Sequence, residues 1–85
     1  MSIKKEFFVY LLQSVESKNQ FYTGITDNLE RRLSVHNSGN SEHTARYAPW
    51  TLITYVGFSD EIKARAFEKY LKSGSGRAFA NRHFR

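Results

Sequence analysis

Cysteine is absent from the 85 residues, which excludes disulfides and thiolate metal sites and leaves nothing that speaks for an oxidising compartment. The expected location is therefore the cytoplasm. No internal repeat, low-complexity stretch or interdomain linker breaks the chain, and its length leaves no room for a second domain. Residues 1–85 are expected to form a single domain. Long apolar runs are missing too. The charged opening Met1-Ser2-Ile3-Lys4-Lys5-Glu6 leads into Phe7–Leu12, a stretch too short for a signal core with a cleavage site or for a membrane span. A soluble protein is expected. Acidic residues are in the minority, eight against thirteen Lys and Arg. The resulting net charge of +5 favours a polyanionic partner, nucleic acid first, through phosphate contacts and counterion release.

What is present suffices for one modest core, because 40% of the residues are hydrophobic and 15% aromatic, well above a disordered composition. Phe7–Val15 reads as a strand with aromatic and branched residues in both alternating sets, hence covered on both faces and central. The polar turn Glu16-Ser17-Lys18-Asn19 leads to a second strand, Gln20–Ile25, in an antiparallel hairpin. Asp27 with Glu30 at capping-box spacing starts a helix that runs to about Asn37, where Gly39 ends it. The polar segment Asn40–Pro49 reads as a loop available to substrate. Thr51–Phe58 is a third strand, and Ser59-Asp60 caps a helix from Glu61 to Lys72. Gly74-Ser75-Gly76 breaks that helix before a last short one, Arg77–His83. The predicted fold is α+β, a three-stranded antiparallel sheet flanked by helices in the order ββαβαα.

Two helices carry charge on the face that should be buried. In the first, the i, i+3, i+4, i+7 set is Leu29, Arg32, Leu33 and His36. Arg32 and His36, four apart, address one point in space. In the second, the inward set Ala64, Phe67, Glu68 and Leu71 includes one carboxylate, which needs a charge partner, a metal or a proton when removed from water. A structural Arg–Glu pair and a catalytic centre both satisfy this pattern. Tyr10 and Tyr22 fall on neighbouring strands, where packing is the ordinary role of tyrosine. Gly24, two residues beyond Tyr22 on the same face, is expected to leave space beside the Tyr22 ring.

Together these residues resemble the GIY-YIG nuclease family, whose two signature tripeptides correspond to Phe8-Val9-Tyr10 and Tyr22-Thr23-Gly24. Order and spacing carry the likeness. The stretch from Tyr22 to Leu33 places Arg32 on the helix after the second tripeptide, His36 and Asn37 follow, and the family glutamate corresponds to Glu68 within Ala66-Phe67-Glu68-Lys69-Tyr70-Leu71-Lys72. The likeness runs from about Phe7 to Phe84 and is greatest to small stand-alone members, related to the N-terminal nuclease domain of the bacterial excision-repair nuclease subunit and to structure-specific endonucleases. Phe8 replaces the glycine of the first tripeptide, Thr23 the isoleucine of the second, and Ile25 a lysine of the excision-repair relatives. The separate DNA-binding domain of most characterised members has no counterpart here.

The resemblance implies a metal-dependent endonuclease that hydrolyses phosphodiester bonds, with DNA as substrate in repair or recombination. Tyr10, Tyr22, Arg32, His36 and Glu68 would be catalytic, and Glu68 would be the ligand of one Mg²⁺ (or Mn²⁺). Tyr10 or Tyr22 would orient or deprotonate water with His36 as proton acceptor, and Arg32 would clamp the phosphate. Water and phosphate oxygens would complete the coordination of the metal, as Mg²⁺ prefers. His36, His43 and His83 lack the mutual spacing of a zinc site. Arg46, Lys72, Arg77 and Arg82 are candidate nucleic-acid contacts, with Tyr47 as a stacking platform. A solvated helix-cap turn is the plainer account of the cations around the glycines. A non-catalytic nucleic-acid-binding module, or an accessory protein of a repair complex, is the alternative, and a protein partner that supplies substrate targeting is a further expectation.

Overall fold

The computed structural model describes residues 5–85; the opening Met1-Ser2-Ile3-Lys4 of the charged segment lies outside them. Strand β1, Phe7–Ser14, sits between β2, Phe21–Thr26, and β3, Trp50–Phe58, and pairs antiparallel with both. Helix α1, Leu29–Asn37, joins β2 to β3 by way of a short 3₁₀ turn at Ala45–Tyr47. Helices α2, Glu61–Leu71, and α3, Gly74–His83, follow β3. The observed order is the expected ββαβαα.

The unbroken apolar run of β1 is explained by what covers it. Val9 and Leu11 point to one side of the sheet and pack with Ala64 and Leu71 of α2 and Ala80 of α3, among the rings of Phe58, Phe67, Phe79 and Phe84. Tyr10 and Leu12 point to the other, where Trp50, Leu52 and Leu29 and Leu33 of α1 cover them. A strand buried on both faces has no polar alternation to display. The result is three layers, α1 on one face and α2 with α3 on the other. A register shift against β3 between Leu11 and Leu12 is a bulge that kinks the edge strand at mid-length.

Two local expectations are corrected. The cap of α1 is Asn28, whose Oδ1 accepts from the Arg31 amide at 3.0 Å, one residue later than Asp27. Glu30 then falls one place short of the reciprocal position, so no capping box forms. Asp27 instead faces Lys5 at 3.3 Å and Arg31 at 3.5 Å on the surface. Gly74-Ser75-Gly76 is the first turn of α3, not a break before it: Ser73 is the cap, with its hydroxyl accepting from the Gly76 amide at 3.2 Å. A Cβ at Gly76 would collide with the Tyr70 carbonyl, so glycine lets α3 start directly against the end of α2. The 40–49 segment is a loop apart from its 3₁₀ turn, anchored at Thr44, which is fully buried and accepts at its carbonyl from Trp50 Nε1 at 2.9 Å.

Candidate active site

The hairpin register sets Tyr10 opposite Gly24, and the phenol of Tyr10 lies over the glycine where a side chain would otherwise stand. This corrects the expectation of space beside Tyr22: the room left by Gly24 is filled by Tyr10 from across the hairpin. Tyr10 is only 2% exposed, and its hydroxyl hydrogen-bonds His36 Nε2 at 2.8 Å. The other ring nitrogen, Nδ1, lies 2.8 Å from Thr44 Oγ1. His36 is completely buried, and it packs against Tyr22 with ring centroids 4.8 Å apart. Tyr10 and Tyr22 are themselves 6.3 Å apart. The two tyrosines and the histidine therefore form one aromatic cluster, with the hydroxyl–imidazole–hydroxyl line running from Tyr10 through His36 to Thr44.

Helical spacing brings Arg32 to the same cluster. Its guanidinium lies beside both phenols, and Tyr10 above all holds it in the charged form. Burial pushes the Tyr10 pKa above the usual tyrosine range, while Arg32 pulls it back and the proximity of the acidic groups of Tyr22 and Glu68 adds to the rise. Tyr10 is therefore a phenol at neutral pH, able to donate. Burial, and secondarily the positive charge of Arg32, hold His36 below its ordinary value of 6.5. His36 is neutral at pH 7, and one of its two hydrogen-bonded nitrogens carries no proton and serves as an acceptor. Glu68 projects from α2 with its side chain 20% exposed and 3.2 Å from Lys72 Nζ. Its charge is felt at Tyr10, which places it at the rim of the cluster. The structural Arg–Glu pair is not formed: among the described residues the cation at Glu68 is Lys72.

Burial of a neutral histidine makes a pH prediction with a defined sign. Unfolded His36 regains the ordinary value of 6.5, so below that pH the unfolded chain binds the extra proton and the folded one resists it. Stability should fall as the pH drops through 6.5 and level off below the lowered folded value. In thermal melts between pH 7.5 and 5 the wild type should lose melting temperature, and His36→Gln should lose less over the same interval. Equal slopes for the two proteins would remove His36 as the cause.

The other sequence-predicted cations are dispersed. Arg46 lies on the 3₁₀ turn over the ring of Tyr47, 5.3 Å from its centroid, and Arg82 is an exposed residue in the last turn of α3. Lys72 and Arg77 line a groove of about 410 Å³ beside Tyr22. Asn37 and two residues without a signal in the sequence, Thr44 and Arg85, complete the arrangement. Thr44 closes the hydrogen-bonded line, Asn37 clips the start of β3 by pairing with the backbone of Trp50 at 2.6 and 3.1 Å, and Arg85 stacks on Phe21 at 4.2 Å. Asn81 Oδ1 accepts from Arg85 Nη1 at 2.9 Å.

The donor set bears on the metal. Among the described residues no three His, Asp or Glu side chains converge as a metal cage. One hard carboxylate, Glu68, at the open rim fits a cation that keeps most of its water and takes its remaining oxygens from the substrate, which is the habit of Mg²⁺. Imidazole is the wrong donor for that ion, and His36 has both nitrogens engaged.

Comparison with known proteins identifies the family and the fold. Residues 6–82 match the family model of the GIY-YIG catalytic domain. Over 72 residues the chain is 40% identical to the structure-specific endonuclease subunit SLX1 of Vanderwaltozyma polyspora, covering 76% of this chain and 23% of that protein. An SLX1 homolog from Giardia intestinalis is 37% identical over 65 residues, covering 72% of this chain and 18% of its own length. The chain thus spans only about a fifth of these endonuclease subunits. The UPF0213 protein CPE1444 of Clostridium perfringens is nearer in size, 33% identical over 66 residues, with 76% of this chain and 69% of the relative covered. The solution NMR structure of the UPF0213 protein BH0048 from Bacillus halodurans superposes with a TM-score of 0.54 at 27% identity, covering 89% of this chain and 80% of that one.

Proposed function

Because the chain belongs to the GIY-YIG nuclease family, we propose that it is a divalent-metal-dependent endonuclease acting on DNA, with Tyr10, Tyr22, Arg32, His36 and Glu68 as its hydrolytic centre. The observation that carries this reading is the Tyr10–His36 hydrogen bond, buried beneath Arg32 and Tyr22 with Glu68 at the rim. A packing core gains nothing from an arginine and a histidine set against two phenols, with a carboxylate near enough for its charge to reach Tyr10. A phosphoryl-transfer site needs each of them.

Tyr22 is the exposed member of the tyrosine pair, half-buried and lining the open groove, and so it is the one that meets the attacking water. The water oxygen attacks phosphorus, and the bond to the leaving oxygen breaks with its electron pair, so that this oxygen leaves as an alkoxide and takes a proton from bulk water. The released proton moves inward to the Tyr10 oxygen while the proton of Tyr10 passes to His36 Nε2. Nδ1–H of His36 donates to Thr44 Oγ1 and holds the imidazole in the accepting tautomer. Arg32 presents a planar fork to the phosphoryl oxygens and offsets the charge that grows on them. Glu68 would hold the divalent ion, which supplies further neutralisation of the phosphate and of the leaving oxygen. In this arrangement the ion pair with Lys72 holds the carboxylate in place beside the cluster.

The SLX1 relatives are named as structure-specific endonuclease subunits. This supports a branched or flapped substrate, a role in repair or recombination, and a protein partner that targets the nuclease. The test uses labelled flap, branched, duplex and single-stranded DNA, plus RNA, with Mg²⁺ or EDTA, and Glu68→Gln as control. Cutting of a branched DNA class by the wild type with Mg²⁺, lost with EDTA and reduced at least about 10²-fold in the variant, is the expected result. Two inert proteins that bind DNA equally would leave a binding module instead.

A further inference from the structure

The outer edge of β2 carries a second feature. In the order β2-β1-β3 this edge has no strand partner, and its backbone groups are open to a ligand. Along it runs the groove of about 410 Å³ whose walls include Phe21, Tyr22, Lys72, Arg77 and Arg85. Arg85 is fixed in advance: its guanidinium lies 4.2 Å from the Phe21 ring centroid and is hydrogen-bonded to Asn81. Arg77 is close enough to disfavour its charge, secondary to burial. Among the described residues neither arginine has a carboxylate within ion-pair distance. Two guanidiniums held near each other with no acid between them form a site that a bound anion completes. Preorganisation lowers the cost of ordering them on binding.

We propose that this edge groove seats one strand of the nucleic-acid substrate next to the cleaved bond, with Arg77 and Arg85 gripping backbone phosphates. The assignment rests on the nuclease reading for its polarity toward Tyr22, whose ring forms one wall of both sites. The volume matches a ligand of nucleotide size rather than a duplex, since pockets of about 300–1,000 Å³ hold one small molecule. The neighbouring cation Lys72 is committed to Glu68, which leaves the two arginines as the grip. Arg82 and Arg46 lie outside the groove.

The test reads binding without turnover. A short fluorescein-labelled single strand is titrated by anisotropy in EDTA at several salt concentrations, with wild type, Arg77→Ala/Arg85→Ala, and the charge-matched control Lys18→Ala/Lys63→Ala. The arginine pair should weaken binding at least about tenfold and flatten the log–log salt slope by about 1.4, from about 0.7 per phosphate contact on a single strand. The lysine pair, exposed and not among the residues that line the groove, should change the slope by less. Equal losses in the two double variants, or no binding by the wild type, would overturn the proposal and leave only a diffuse positive field. A wild type that cuts nothing yet loses binding only through Arg77 and Arg85 would remove the nuclease reading and keep the groove. A wild type that cuts, with KM and slope untouched by the arginine pair, would do the reverse.

Discussion

Arg32→Lys is expected to lower kcat about 10²–10³-fold with the fold intact, the range seen when one charge-stabilising donor is taken from a transition state. Arg32 is half-buried and lies beside two phenols as well as the position a phosphate would take. Only a rigid fork with five donors meets those demands together, whereas an ammonium is a point charge on a flexible stem. The adjacent Arg31 provides the control. It is exposed and tied to Asp27 at 3.5 Å, so Arg31→Lys should leave kcat and KM near wild type. Steady-state kinetics on the preferred substrate decides, since a rise in KM alone would mean that Arg32 binds the ground state and transition state equally. Arg32→Ala adds a second signature. Part of the depression of the His36 pKa comes from Arg32, so in that variant the imidazole should titrate at a higher pH, observable by NMR of its ring protons.

Arg32 and His36 could be found from spacing alone because helical phase is rigid: four residues apart means one above the other, whatever the fold around them. The same held for β1, whose apolar run has only one economical explanation, a strand covered on both sides. Where the sequence misleads, two residues of similar chemistry compete for one place. Asp27 and Asn28 both make good caps, and the winner is chosen by where β2 releases the chain, a tertiary matter. At Gly74-Ser75-Gly76 the low helix propensity of glycine suggested a break. The cause of Gly76 is instead steric, the close approach of α3 to the Tyr70 carbonyl, which no periodicity encodes. Thr44 and Arg85 were illegible for a related reason. Thr44 lies in an aperiodic polar segment, and Arg85 meets Phe21 from the far end of the chain. Contacts of that range depend on the finished fold.

Gly24→Ala should cost about 1–3 kcal/mol of stability, the usual penalty of overpacking, and a large share of the activity with it. The ideal Cβ would lie 2.6 Å from Tyr10 Cζ, well inside contact distance. Tyr10 has little freedom to yield, since its hydroxyl is bonded to His36 and its ring is enclosed by Tyr22, Leu12 and Trp50. If the ring moves, the Tyr10–His36 bond breaks and the neutral imidazole loses the partner through which it would receive a proton. Gly74→Ala is the contrasting change. Its Cβ would meet nothing within 4 Å, and in the first turn of α3 alanine improves helix propensity, so stability should hold or rise by up to about 1 kcal/mol. Chemical denaturation of the two variants measures the difference in stability, and a cleavage assay measures the loss of turnover. If Gly24→Ala matched the wild type in both, β1 and β2 would be able to part without loss, and the tight seat of Tyr10 would have no part in holding His36 to its task.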